Sequence, residues 1–346
     1  MKPQIICTLG TTTDSLTVLE KMIGHGMSCA RLNTAYSMIE EYEKRIGMLK
    51  QVSDIPVMMD LKGPQVRLMA DRAYTIHEGD ILYVGFGEEP LHFSKDFYRD
   101  VHENDRVYIE NGTISTVVCE KKPKQVSLLI EDPGEGRISR QMGVNIPGAY
   151  LCVPRLSPKD KAVIEFSIAS EIDAIALSFV RRYRDIENLQ SYIERTKSRC
   201  NSTHTPEIVA KIEDIHGLRN IEEIIAGARN QSIPLSIMIG RGDLYVELPK
   251  EEFPLAQEHL IATCKRQGMY VITATGILES MQQGCAPTRA ELNDVLQAVR
   301  QGTNAFMLSG ETSNGKDPVA VVRQLSELIE RFTRHDSRYT SSVRKA

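Results

Sequence analysis

The chain has 346 residues, 41% of them hydrophobic and 25% charged, enough for one large core and a small second domain. Its net charge of −4 and the lack of any Lys/Arg block with interleaved aromatics exclude a nucleic-acid surface, which must neutralise many phosphates. No apolar run nears the roughly 20 residues that span a bilayer, and the N-terminus turns polar too soon for a signal-peptide core, so a cytoplasmic protein without membrane contact is expected.

Apolar, often β-branched runs recur at 5–9, 28–32, 57–61, 174–179, 208–212, 235–239, 270–274 and 305–308, with amphipathic segments between them. That alternation predicts βα units around a parallel sheet. After the first run, Leu16, Leu19, Met22 and Ile23 follow a Thr/Asp cap, and Gly24 is the expected left-handed terminator. Before the last helix, Asp317 is the expected cap and Pro318 the first helical residue, with Val322, Leu325, Ile329 and Phe332 on one face.

Between residues 69 and 153 helical periodicity gives way to short alternating strands at 81–84, 107–109, 115–118 and 126–130. Asn111-Gly112 marks a hairpin, and Gly134, Gly136, Gly143, Pro147 and Gly148 supply a return linker. The expected architecture is an α/β (β/α)8 TIM barrel, residues 1–68 and 154–346, with a small β-barrel lid at 69–153 inserted after the third strand. Removing that insertion leaves close to the roughly 250 residues of a typical barrel. Seven cysteines, an odd number without a C-x-x-C pair, fit neither a disulfide framework nor a thiolate zinc site. The eight histidines lack the H-E-x-x-H spacing of a zinc helix.

Barrel enzymes build active sites at the carboxyl ends of their strands. Polar residues collect there: Arg31 and Asn33 after the second strand, Asp60, Lys62 and Arg67 after the third, Ser178 and Arg181 after the fourth. Lys211 and Glu213 follow in Lys211-Ile-Glu213, then Gly240-Arg-Gly-Asp243, then Thr275 and Glu279, then Ser309, Glu311 and Thr312. Glu213 and Asp243 are the expected ligands of a divalent cation, magnesium or manganese, because oxygen donors surround it and no soft ligand stands near. Gly240, Arg241, Gly242 and Asp243 open a short helix whose amides could hold an anionic group; the plain alternative is a tight β-to-α turn. A cation beside Lys211, Lys62, Arg31 and Arg67 suits a small substrate carrying both carboxylate and phosphate, and phosphoryl transfer needs little else.

At these residues the chain resembles pyruvate kinase. The pieces in register include Ile6-Cys-Thr-Leu-Gly10, Ala30-Arg-Leu-Asn33, Asp60-Leu-Lys-Gly-Pro64, Gly143-Val-Asn-Ile-Pro-Gly148, Leu156-Ser-Pro-Lys-Asp160, Ser178-Phe-Val-Arg181, Lys211-Ile-Glu213, Arg241-Gly-Asp-Leu244, Pro287-Thr-Arg-Ala-Glu291 and Met307-Leu-Ser-Gly-Glu-Thr312. The resemblance implies transfer of a phosphoryl group from phosphoenolpyruvate to ADP, giving pyruvate and ATP in glycolysis, by a homo-oligomer. Position by position, it implies Glu213 and Asp243 on the divalent ion, Lys211 and Arg31 on the moving phosphoryl group, and the amides of residues 240–243 on the substrate carboxylate. Thr275 and Ser309 would deliver the proton, Arg67, Lys159 and Asn33 would face the nucleotide, and Asn33 and Asp60 would belong to a potassium site.

The sequence departs from the family pattern at several of these places. Thr34-Ala-Tyr-Ser37 follows Asn33 where the family has Phe-Ser-His-Gly, and Gln65 replaces the acid after Lys-Gly-Pro. With Ala35 and Gln65 in place, potassium is not expected to be required. Thr11, Tyr36 and Cys152 change the nucleotide side, while Tyr245 and Gly276 change the wall of the substrate pocket. The alternative reading is a metal-dependent aldolase or lyase working through a pyruvate enolate, or a phosphotransferase with another acceptor. The family's further C-terminal α/β domain is expected to be absent.

Overall fold

The computed structural model describes residues 2–35 and 37–343, with side chains through residue 334. In chain order the strands are β1 Gln4–Thr8, β2 Met27–Asn33, β3 Val57–Asp60, β4 Val66–Ala70, β5 Tyr74–Thr75, β6 Ile81–Gly85, β7 Leu91–Phe93, β8 Arg106–Ile109, β9 Ile114–Lys122, β10 Gln125–Asp132, β11 Arg137–Ile138 and β12 Gln141–Asn145. They continue with β13 Ala174–Leu177, β14 Glu207–Ile212, β15 Leu235–Gly240, β16 Val271–Ala274 and β17 Ala305–Leu308. Strands β1, β2, β3, β13, β14, β15, β16 and β17 close into one parallel barrel, each of them at a run expected to be a barrel strand.

Side-chain alternation makes this barrel a packed core. On β1, Ile5 and Cys7 point outward into the layer under the helices, whereas Ile6 points inward. The interior holds Met58, Met238 and Met307 among small residues such as Ala176, Ala274 and Ala305, so large and small side chains interdigitate and leave no channel. β15 is buried along its whole length, as a strand covered on both faces must be.

Strands β4, β6, β7, β8, β9, β10 and β12 form a second closed barrel, with β5 and β11 as a separate pair. Glu110, Asn111 and Gly112 all take positive φ and turn β8 into its antiparallel neighbour β9, where the Asn-Gly pair predicts a hairpin. Phe86, Phe93 and Phe97 meet in its core at centroid distances of 4.9–5.2 Å. The sequence boundary at 68/69 falls inside β4, which already belongs to this second barrel. β4 runs only from Val66 to Ala70, and its alternation lasts three residues before Met69 and Ala70 break it, too few to read.

The helix Leu16–Gly24 corrects two expectations. Ser15 is its N-cap, not the Thr/Asp pair, and Gly24 is its last helical residue, while Gly26 takes the left-handed φ of +113°. In the last helix, Pro318–Val343, Asp317 Oδ1 accepts from Ala320 N at 2.9 Å, and Val322, Leu325 and Ile329 are fully buried. Among the described residues no helix is long and apolar enough to cross a membrane, and the seven cysteines are unpaired.

Candidate active site

The carboxyl ends of the barrel strands enclose a cavity of about 240 Å3. Arg31 and Asn33 enter it from the end of β2, Asp60 from β3, Ser178 from beyond β13, Lys211 from β14 and Glu213 from just beyond it. Gly240, Gly242 and Asp243 come from β15 and the helix Arg241–Glu247, Thr275 from beyond β16, and Ser309 from beyond β17. Lys62 and Gln65 line it from the segment that leads into the inserted barrel, and Arg67 from that barrel's strand β4. That segment has a fixed path, because Gly63 has φ +63° and a Cβ there would stand 2.9 Å from Ser178 Cβ.

Lys211 is the hub. Its Nζ lies 3.1 Å from Asp60 Oδ1, 3.1 Å from Glu213 Oε1 and 2.9 Å from Ser178 Oγ. Burial works to lower its pKa, but Asp60 and Glu213 outweigh burial and raise it, so the ammonium stays charged. Arg31 grips the other Asp60 oxygen at 2.8 Å and Thr8 Oγ1 at 2.8 Å. Burial opposes ionisation of Asp60, yet Lys211 and Arg31 hold its carboxyl below the usual range.

The two expected metal ligands shift the opposite way from Asp60. Burial pushes Glu213 up to about 7 against the pull of Lys211, and the charges of Asp243 and Asp60 add to the rise. Asp243 is raised by burial too, against Asn145 and Lys211. Two buried carboxylates that resist ionisation on one wall are what a bound divalent cation would relieve, so the donor set fits one. Among the described residues no group of three or more His, Cys, Asp or Glu forms a ready-made cage, so the protein offers two carboxylates. Magnesium commonly takes its remaining ligands from substrate and water. Phe179, at φ +55°, fixes Glu213 by donating its N–H to Oε2 at 2.8 Å.

Arg241 does not face the cavity with its side chain. The buried guanidinium donates to the carbonyls of Ala274, Thr275 and Gly276 at 2.6–3.2 Å and pairs with Asp294 at 2.7 Å, which leaves its amide for any part in ligand binding. The loop it clamps holds Thr275 at φ +73°, a costly conformation for a β-branched residue that persists only under such constraint. Glu311 ties the neighbouring loop down, accepting from the N–H groups of Ser309, Ile277 and Leu278.

Of the nucleotide-side residues, Asn33 and Arg67 line the cavity, while Lys159 reaches the Ala35 carbonyl at 3.4 Å. Tyr36 lies outside the described residues. Two residues escaped sequence reasoning. Asn145 at the end of β12 donates from Nδ2 to Asp243 Oδ1 at 3.1 Å and to Glu247 Oε1 at 3.3 Å. Glu247, pushed up to about 8 first by burial and then by Asp214, stands one helical turn after Asp243. That i, i+4 spacing is the signal that could have found it.

Residues 1–322 match the barrel domain of pyruvate kinase. The chain is 34% identical over 340 residues to a pyruvate kinase of Staphylococcus haemolyticus and 35% identical over 343 residues to one of Geobacillus stearothermophilus. Those alignments take in 94% and 95% of this chain but 56% and 57% of the relatives, so the chain spans little more than half their length. A pyruvate kinase structure from Cryptosporidium parvum superposes with a TM-score of 0.87 at 30% identity, over 96% of this chain and 69% of that one. With its barrel, its inserted second barrel and Lys211-Ile-Glu213 at the mouth, this chain belongs to the pyruvate kinase family.

Proposed function

We propose that the protein transfers a phosphoryl group from phosphoenolpyruvate to ADP, giving pyruvate and ATP, with magnesium or manganese held by Glu213 and Asp243. The observation that carries this reading is the triple contact of Lys211 with Asp60, Ser178 and Glu213, which fixes one charged ammonium in the cavity wall. Lys211 and Arg31 stabilise the charge spread over the phosphoryl oxygens, without reorganising, because Asp60 already holds both in place. The amides of residues 240–243 hold the substrate carboxylate. Thr275 and Ser309, which line the same cavity from beyond β16 and β17, carry the proton to the enolate carbon. The cation, when bound, neutralises the substrate's negative charge.

A second cavity of about 310 Å3 shares Arg31, Asn33 and Ser309 with the first and takes in Thr11 and Arg45; it supports a nucleotide beside the phosphoryl group. Both oxygens of Asp60 are engaged by Arg31 and Lys211, which supports a reaction without potassium. The enolate-lyase alternative has its own support. A side cavity of about 370 Å3 shares Asn111, Gly242 and Thr275 with the substrate cavity and is walled by Tyr245 and Phe253, giving room for a carbon acceptor.

The test is to incubate the protein with phosphoenolpyruvate, ADP and magnesium, with and without potassium, and to measure ATP and pyruvate. Equal amounts of both products are expected. Neither product, together with metal-dependent binding of oxalate and no binding of ADP by calorimetry, would favour the lyase.

A further inference from the structure

We propose that Asn145 is a positioning residue that couples the inserted barrel to the metal site by orienting Asp243; the inference rests on the reading of Glu213 and Asp243 as metal ligands. Asn145 is 4% exposed and ends β12, paired there with Tyr108 of β8, so the second barrel fixes its backbone. Its side chain leaves that barrel and contacts the catalytic one at two carboxylates, Asp243 Oδ1 and Glu247 Oε1.

The chemistry of the contact is specific. An amide NH2 carries two hydrogens, and the two acceptors sit a helical turn apart, so one group can serve both. The nitrogen is the atom that faces both acceptors. With Oδ1 held by a neutral donor, the other Asp243 oxygen is left for a cation. A lysine in this place would pair with Asp243 and compete with the metal, and an aspartate would add a further charge to a buried acidic wall. Groups that orient a ligating carboxylate commonly govern metal affinity although they never touch the ion. Coupling of this kind is reciprocal: a seated inserted barrel improves the metal site, and a bound ion holds that barrel closed.

The experiment compares the full chain with Asn145→Ala and Glu247→Gln. Manganese binding without substrate is read by electron paramagnetic resonance of the free ion, and protease cleavage is followed in the linker 146–153. Asn145→Ala is expected to weaken manganese binding roughly 10–100-fold. Manganese should slow linker cleavage in the parent chain but not in this variant. Glu247→Gln, which leaves the Asp243 bond in place, should bind within about threefold of the parent by the same logic. If the alanine chain does not fold, Asn145→Ser, which keeps a donor too short to reach both carboxylates, gives the same comparison with a smaller loss. Unchanged manganese affinity in a folded Asn145 variant, whatever its melting temperature, would reduce the residue to packing and overturn the proposal. A parent chain that binds no manganese would overturn the metal reading itself, and this inference with it.

Discussion

Lys211 and Glu213, two residues apart on one strand end, touch each other at 3.1 Å between Nζ and Oε1. Alternation along β14 explains the contact: Ile212 turns outward into the core beneath the helices, and its two neighbours turn to the cavity. The cation and the acid are therefore delivered to the site by one piece of backbone.

Replacing Lys211 by methionine keeps an unbranched side chain one atom shorter and removes its charge. Turnover of phosphoenolpyruvate should fall at least ~10²–10³-fold, the range for losing one preorganised electrostatic group. Arg31 still pairs with Asp60, so circular dichroism should show a folded chain. Full activity in this variant would remove Lys211 from the chemistry.

Stability without metal should depend on pH through Glu213. Its carboxyl titrates near 4.5 when unfolded and about 7 when folded, so its contribution is fully present below pH 4.5 and is lost as pH rises through 7. Glu247, at about 8, and the raised Asp243 act in the same direction. The melting temperature of chelator-treated protein should drop across that window, by on the order of 1–3 kcal/mol of stability. Manganese should restore more at pH 8 than at pH 5, and Glu213→Gln should flatten the profile. A melting temperature that climbs with pH would contradict the assignment.

Arg241→Lys preserves the charge but loses the fork that reaches three carbonyls and Asp294 at once. The strained Thr275 loop should relax, costing about 1–3 kcal/mol for the unsatisfied buried carbonyls. The rate should fall roughly tenfold or more through misplacement of Thr275. Thermal melts and steady-state kinetics check both, and an unchanged rate constant would separate Thr275 from the reaction.

Gly240→Ala addresses Glu213 through sterics alone. An added Cβ would lie 2.4 Å from Glu213 Cγ, so the carboxylate must move. Overpacking of this kind costs about 1–3 kcal/mol. Manganese affinity should drop with it, read by titration, whereas unaltered binding would put the ion away from Glu213.

Local residue patterns were enough to specify the parallel barrel and to gather most of the candidate site. β-branched runs, helical spacing and strand-end charges are local properties, and both the eight strands and the cluster of Arg31, Asp60, Lys211, Glu213 and Asp243 follow from them. Contacts between residues far apart in the chain emerge only once it is packed. Asn145 meets Asp243 across 98 residues and Arg241 meets Asp294 across 53, and a spacing rule written for one strand or helix cannot register such pairs. Burial is the other such quantity: a carboxylate reads the same in any sequence, and the packing around Glu213 is what lifts it toward neutrality.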